Sequence, residues 1–348
     1  MSLWKKFSAV LGLVCLVQTL WLLSTSDRGD YEEGAAGKST QTPRDSVPPS
    51  FNMTLWRYYQ QILIPPTTDV TNERLTILMP TYKRADILPS VIKHYCSMGD
   101  SVEKILVIWN DVETPIPPSL HSLRCDIDVL FIVSKENKLT NRFMPRDEIE
   151  TKGVLVVDDD RLISGDDVQF GFQIWKQFRH RIIGFEHRMH TLNQHGDYHY
   201  GPYPKAGQTP EKLGYSMLIS ASFILHRVYL ELFHSSYLPG EIMTYINREM
   251  NCEDVAMCIL VAQFLRDVAW PQSSVISVKP RVPLKNLEAT TGGGHRGLSN
   301  QLKHYNKRSE CLNKFAAAYG GRLPLQYITG RMYREPIKPW YNFKLQQI

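Results

Sequence analysis

Between residues 74 and 157, short unbroken apolar runs recur: 75–79 (LTILM, closed by Pro80), 104–109 (KILVIW), 127–133 (IDVLFIV) and 153–157 (GVLVV). Each has strand length and none alternates with polar positions, the pattern of strands buried on both faces. Residues 87–98 and 166–178 instead place apolar side chains at helical spacing, the second behind Ser164 as an N-cap. Strands separated by helices or long loops predict βαβ units, a largely parallel sheet and an α/β fold class. Ligands in such sheets bind beyond the carboxyl ends of the strands. Chemistry is therefore expected at residues 80–84, at Asn110 and Asp111, and at Asp158, Asp159 and Asp160.

The N-terminal pattern is different. Lys5 and Lys6 precede an uncharged run over residues 7–23, which reads as a transmembrane signal anchor with residues 1–6 cytoplasmic and the bulk lumenal. A cleaved signal peptide is the rival, and both readings put the chain in the secretory route. Residues 24–73 read as a stem, starting with a stretch too polar to fold alone. The stem carries a glycosylation sequon at Asn52, and residues 53–64 show helix-like spacing ended by Pro65 and Pro66. From residue 74 to 334 no linker intervenes, so one domain is expected, with 335–348 as a tail. Residues 188–213 and 284–297 read as long loops.

Composition narrows the class. A net charge of +5 over 348 residues argues against a nucleic-acid partner. Six cysteines with no CxxC pair disfavour a disulfide scaffold and a zinc finger. His187, His190, His195 and His199 lie in a polar segment without supporting acids, a weak zinc pattern. No GxSxG or P-loop motif is present.

Several positions can carry chemistry. Asp158, Asp159 and Asp160 follow GVLVV directly; in extended chain the first and third point to one side, and their repulsion calls for a cation such as Mn²⁺ or Mg²⁺ shared with phosphates. The plain alternative is an acidic turn capping the next helix. Thr81, Tyr82 and Arg84 offer a hydroxyl, an aromatic face and a guanidinium at a strand end. Asn110, Asn137 and Asn141 offer amides, and Arg142 a pyrophosphate partner. Each of these, taken singly, is equally ordinary loop polarity. Glu253 and Asp254 open an apolar helix, where carboxylates are stabilised with or without a ligand. Cys252 can pair with Cys311 in an oxidising compartment, which would bring Arg308 near both acids; Cys258 reads as a buried thiol.

Taken in order, LTILMPTYKR, KILVIWND, KENKLTNR, GVLVVDDDRLIS, YSMLISASF, NCEDVAM and KRSECLNKF resemble the exostosin-like glycosyltransferase domain, glycosyltransferase family 64. The likeness covers about residues 74–334 and is closest to short members with an anchor, a stem and this domain only. It implies a GT-A fold, a Rossmann-like nucleotide-binding half joined to an acceptor-binding half. It also implies Mn²⁺, a UDP-N-acetylhexosamine donor, retention of the α configuration and a Golgi or endoplasmic reticulum membrane location. Carried over by residue, Thr81, Arg84, Asn110, Asn137 and Arg142 would hold the uridine and diphosphate. Asp158 and Asp159 would contact ribose and sugar, and Asp160 would be the direct metal ligand. Asp254, with Glu253 beside it, would lie near the anomeric carbon or the sugar hydroxyls, Arg308 would steady the departing diphosphate or the donor sugar, and Cys252–Cys311 would be a disulfide. The implied acceptor is a glycosaminoglycan linkage region or heparan-type chain; a glycolipid acceptor and a lumenal binding pseudoenzyme are the alternatives. This chain departs from the short members at Glu253, often Asp there, at Pro80, often Gln, and at the Gly-rich residues 292–297, where relatives carry an aromatic side chain.

Overall fold

The computed structural model describes residues 53–63, 73–201, 214–268, 272–287 and 304–334. The expected anchor at 7–23, most of the stem, Asn52 and the tail at 335–348 lie outside them. Among the described residues no helix is long and apolar enough to cross a membrane.

Helix α1 (Met53–Leu63) buries Leu55, Tyr59 and Ile62, one stripe spaced i, i+4, i+7. Strand β1 (Leu75–Thr81), helix α2 (Leu88–Cys96), strand β2 (Val102–Trp109), short helix α3 (Pro118–His121) and strand β3 (Asp128–Val133) follow. Next come β4 (Gly153–Val157), β5 (Arg161–Leu162) and α4 (Gly165–Gln177), whose expected cap is formed: Ser164 Oγ accepts the Asp167 N–H at 3.2 Å. Short strands β6 (Ile182–Gly184), β7 (His187–Arg188), β8 (His190–Leu192), β9 (Tyr198–Tyr200) and β10 (Met217–Leu218) lead to β11 (Ser222–His226). Helices α5 (Val228–Phe233), α6 (Gly240–Glu249) and α7 (Glu253–Asp267), strands β12 (Val275–Ser277) and β13 (Lys285–Asn286), and helix α8 (His304–Ala318) complete the described chain.

The central sheet has seven strands in the order β12-β6-β11-β4-β1-β2-β3. It is parallel except at β11, which runs antiparallel to both β4 and β6. The apolar SFILH of β11 encodes burial but not direction. Both faces are covered over β1, β2 and β4, which explains their unbroken runs: Ile77, Met79, Ile105, Val107 and Leu155 pack with α2 and α4, whereas Leu78, Leu106, Ile108, Val154 and Val156 pack with α5, α7 and α8. The run of β3 is not buried on both faces as expected: at the edge of the sheet it leaves Leu130 and Val133 exposed. Helix α7 lies so deep that every side chain from Glu253 to Ala262 is buried.

Two local expectations change. Strand β1 continues through Pro80 to Thr81. The Thr81 carbonyl accepts the Asn110 N–H at 2.9 Å on the β2 side, so the missing N–H of Pro80 faces β4, whose pairing with β1 has already ended at Leu78. Residues 188–213, expected as a long loop, carry the β8–β9 hairpin as far as Tyr200; strands of three residues are too short to show a period. That hairpin docks on α8, where the Tyr198 N–H donates to Asn313 Oδ1 at 2.8 Å.

Candidate active site

The carboxyl ends of β1, β2 and β4 meet at one edge of the sheet, in register Thr81↔Trp109 and Leu78↔Val156. Loops leaving that edge, with the first residues of α7 and α8, enclose a cleft of about 620 Å³, within the range of small-molecule sites.

After β1 the chain bends at Lys83, a left-handed residue with φ 54°, between exposed Tyr82 and Arg84. Arg84 Nη1 then reaches the loop after β4, 2.5 Å from Asp159 Oδ1 and 3.1 Å from Asp160 Oδ2. The three acids do not alternate as extended chain would place them. β4 ends at Val157 and a turn closes with the Arg161 N–H donating to the Asp158 carbonyl at 3.1 Å. Asp159 and Asp160 consequently share Arg84, while Asp158 accepts from Arg142 Nη1 at 3.0 Å.

Asn110 leaves β2 buried, and its Oδ1 accepts from Ser134 Oγ and from Asn141 Nδ2, both at 2.8 Å. Asn141 and Arg142 belong to a 3₁₀ turn, Leu139–Phe143, that places the amide under Asn110 and the guanidinium in the cleft. Arg142 Nη1 also donates to Ser220 Oγ at 2.5 Å, and Ser220 donates to Glu253 Oε1 at 3.0 Å, with Arg142 Nε 3.4 Å from the same oxygen. On the far wall Arg308 Nη1 donates to Asp254 Oδ2 at 2.9 Å, and Asp254 Oδ1 accepts the Val255 N–H at 2.8 Å. The Cys252–Cys311 disulfide ties the start of α7 to α8 beneath this pair, as expected, and a second bridge joins Cys96 to Cys125. Cys258 is a buried free thiol.

Charge is poised rather than neutralised. Burial pushes the Asp159 carboxyl up, with Arg84 and the Thr81 hydroxyl pulling the other way. Burial and then the neighbouring Asp158 push Asp160 up to about 6, against Arg84. Burial also raises Glu253, opposed by Arg142 and reinforced by Asp254. Burial works against the charge of Arg142 and of Arg308, yet the acids around each outweigh it and hold both above the ordinary arginine value.

With this geometry in place, the comparison with known proteins is direct: residues 75–337 match the glycosyl transferase family 64 domain. The chain belongs to glycosyl transferase family 64. It is 34% identical over 280 residues to Exostosin-like 2 of Homo sapiens, a match spanning 79% of this chain and 81% of that one. It is 33% identical over 270 residues to Exostosin-2 of Homo sapiens, spanning 77% of this chain and 34% of that one. It is also 29% identical over 269 residues to Glycosylinositol phosphorylceramide mannosyl transferase 1 of Arabidopsis thaliana, spanning 72% and 74%.

This family 64 transferase gathers Thr81, Arg84, Asn110, Asn137, Arg142, Asp158, Asp159, Asp160, Glu253, Asp254 and Arg308 around one cleft. Asn137 is exposed there, while Asn110, Glu253, Asp254 and Arg308 are buried in its walls. Ser220, Tyr200 and His304 also line it and escaped the sequence reading. A tyrosine on a three-residue strand, and a serine and a histidine in polar context, gave no local signal.

Among the described residues no group of three or more His, Cys, Asp or Glu side chains converges as a metal site, so a divalent cation here would find two carboxylates, Asp160 and Asp158. Asp160 is a buried carboxylate whose charge Arg84 does not fully compensate, since its pKa stands near 6, and Asp158 supplies a second hard oxygen donor nearby. Few protein oxygens with coordination left over for phosphate oxygens suit Mn²⁺ or Mg²⁺.

Proposed function

We propose that this family 64 transferase has the GT-A architecture and is a retaining, Mn²⁺-dependent α-N-acetylhexosaminyltransferase. It would move GlcNAc or GalNAc from a UDP-sugar to a glycosaminoglycan linkage region or heparan-type chain. The observation that carries this reading is one cleft in which three of the five lining arginines, Arg84, Arg142 and Arg308, are each paired to carboxylates at 2.5–3.0 Å. Guanidinium groups held in place at a strand edge suit a nucleoside diphosphate.

In this reading Arg84 and Arg142 receive the diphosphate, Asn110 meets the uridine in the orientation Asn141 and Ser134 impose, and Asp160 with Asp158 holds the metal. When bound, Mn²⁺ supplies positive charge to the departing UDP. Arg308 donates to the leaving phosphate oxygens from the opposite wall. The bond from the anomeric carbon to phosphate oxygen breaks, the acceptor hydroxyl bonds to that carbon from the same face, and its proton passes to the departing phosphate. Both oxygens of Asp254 are already engaged, by Arg308 and by the Val255 N–H. That favours a role holding sugar and arginine over one as a covalent nucleophile. Two disulfides suit an oxidising lumen, in keeping with a type II protein anchored by residues 7–23 in the Golgi or endoplasmic reticulum.

A glycolipid acceptor is the second reading, favoured by the likeness to Glycosylinositol phosphorylceramide mannosyl transferase 1 of Arabidopsis thaliana. The test is UDP release by the full-length chain in detergent with Mn²⁺ and UDP-GlcNAc, UDP-GalNAc or UDP-glucose, with and without a linkage-region oligosaccharide. Release that requires oligosaccharide, Mn²⁺ and an intact Asp160 supports the proposal. Release only with a lipid acceptor moves it to the second reading, and UDP binding without turnover on either acceptor makes the protein a binding module.

A further inference from the structure

Arg308 is gripped from three directions. Nη1 donates to Asp254 Oδ2 at 2.9 Å and to the Tyr200 hydroxyl at 3.1 Å, while Nε donates to His304 Nε2 at 2.9 Å. His304 and Arg308 are four residues apart on α8, so one helix face sets the imidazole beside the guanidinium. A guanidinium has donors only. The Nε bond therefore exists only while His304 Nε2 carries no proton, which assigns the ring hydrogen to Nδ1.

Nδ1 in turn lies 3.4 Å from Nδ2 of the Asn251 side-chain amide. With Nδ1–H as donor, that amide must turn its oxygen toward the ring. Asn251 is well fixed for this task. It sits between two left-handed residues, Met250 with φ 49° and Cys252 with φ 74°, and Cys252 is bridged to Cys311 on α8. The bonds run from Asn251 through His304 and Arg308 to Asp254, leaving the start of α7 and returning to it three residues later. Arg308 Nη2 has no bond among the described residues, although the side chain lines the cleft.

We propose that His304 is a positioning residue: it sets the plane of the Arg308 guanidinium and so presents Nη2 to the departing diphosphate. The inference rests on the transferase reading above. Burial, with Arg308 and Arg188 beside the ring, pushes His304 down to about 4 against the pull of Asp254, so the acceptor lone pair persists at neutral pH.

Two measurements test it on the full-length chain in detergent. In UDP release with Mn²⁺, linkage-region oligosaccharide and UDP-GlcNAc or UDP-GalNAc in parallel, His304→Phe is expected to lower kcat about 100-fold with donor KM within about threefold. His304→Gln, whose amide oxygen can take the Arg308 bond, is expected to recover about tenfold of that loss. Equal loss in both variants, or a raised KM at unchanged kcat, overturns the proposal. Independently of turnover, nitrogen-15 histidine NMR of the wild type, assigned by the signal missing from His304→Gln, is expected to show Nδ1–H and a bare Nε2. A proton on Nε2 overturns the pairing even where a variant fails to fold. A wild type that turns over neither donor overturns the N-acetylhexosaminyltransferase reading on this acceptor, and a role for His304 in that transfer with it, whatever the tautomer.

Discussion

Arg84 and Asp159 stand 75 residues apart in the chain and 2.5 Å apart in space, with side chains 13% and 6% exposed. One follows β1 and the other follows β4, so the pairing of two neighbouring parallel strands delivers them to each other. Removing one member of a buried pair leaves the other charge uncompensated, typically at about 3 kcal/mol. Arg84→Met should therefore lower the urea unfolding free energy by about that much, and Arg84→Met with Asp159→Asn should restore most of it. A double variant no more stable than the single one would show that the pair is not where the stability resides.

The raised pKa of Asp160 fixes the sign of a pH effect. An acid held above its unfolded value of 3.8 is favoured in the folded state by its proton, so its stabilising contribution is complete below pH 3.8 and lost as pH rises through about 6. Without divalent ions at pH 7.5, the ionised Asp160 costs about 3 kcal/mol relative to its protonated form. Asp160→Asn should accordingly be the more stable protein at pH 7.5, by about 2–3 kcal/mol, with the advantage fading toward pH 4. Chemical unfolding at both pH values checks this, and an advantage independent of pH would refute it.

Asn141 touches Asn110 but is bonded away from any ligand, its Nδ2 shared between Asn110 Oδ1 and the Glu136 carbonyl at 2.8 Å each. Asn141→Asp replaces the donor with an acceptor and frees the Asn110 amide to rotate. UDP affinity with Mn²⁺ should fall about tenfold, roughly the strength of one lost bond to a buried group. Titration calorimetry that finds the affinity unchanged would mean that Asn110 needs no such support.

The Cys252–Cys311 bridge closes a loop of 59 residues and holds Cys252 at φ 74°. Replacing both cysteines by alanine should cost about 4 kcal/mol by the loop-entropy estimate. Because Asp254 and Arg308 flank the bridge, UDP release should suffer more than in the corresponding Cys96 and Cys125 double variant. Comparable activity in the two double variants would place the bridge outside the catalytic arrangement.

What could be read beforehand and what could not divide along a physical line. The runs at β1 to β4, the Ser164 cap and the helix opened by Glu253 and Asp254 were legible, because burial and capping leave a local mark on residue type. The direction of β11 and the β8–β9 hairpin were not, since SFILH reads the same either way and a three-residue strand has no period. The acids at 158–160 were visible as a cluster, yet their division between Arg84 and Arg142 was invisible, because it depends on a turn that starts one residue past β4.

The sequence alone thus determined the α/β class, the family and most of the charged residues that line the cleft, because each is written in local apolar pattern or in ordered motifs. Only the tertiary structure decided which carboxylate each arginine meets and that Ser220, Tyr200 and His304 belong to the same site. Apart from His304 and Arg308, four positions apart on α8, those relationships join residues 16 to 108 positions apart, and strand order and helix docking, rather than neighbours in the chain, bring such pairs within bonding distance.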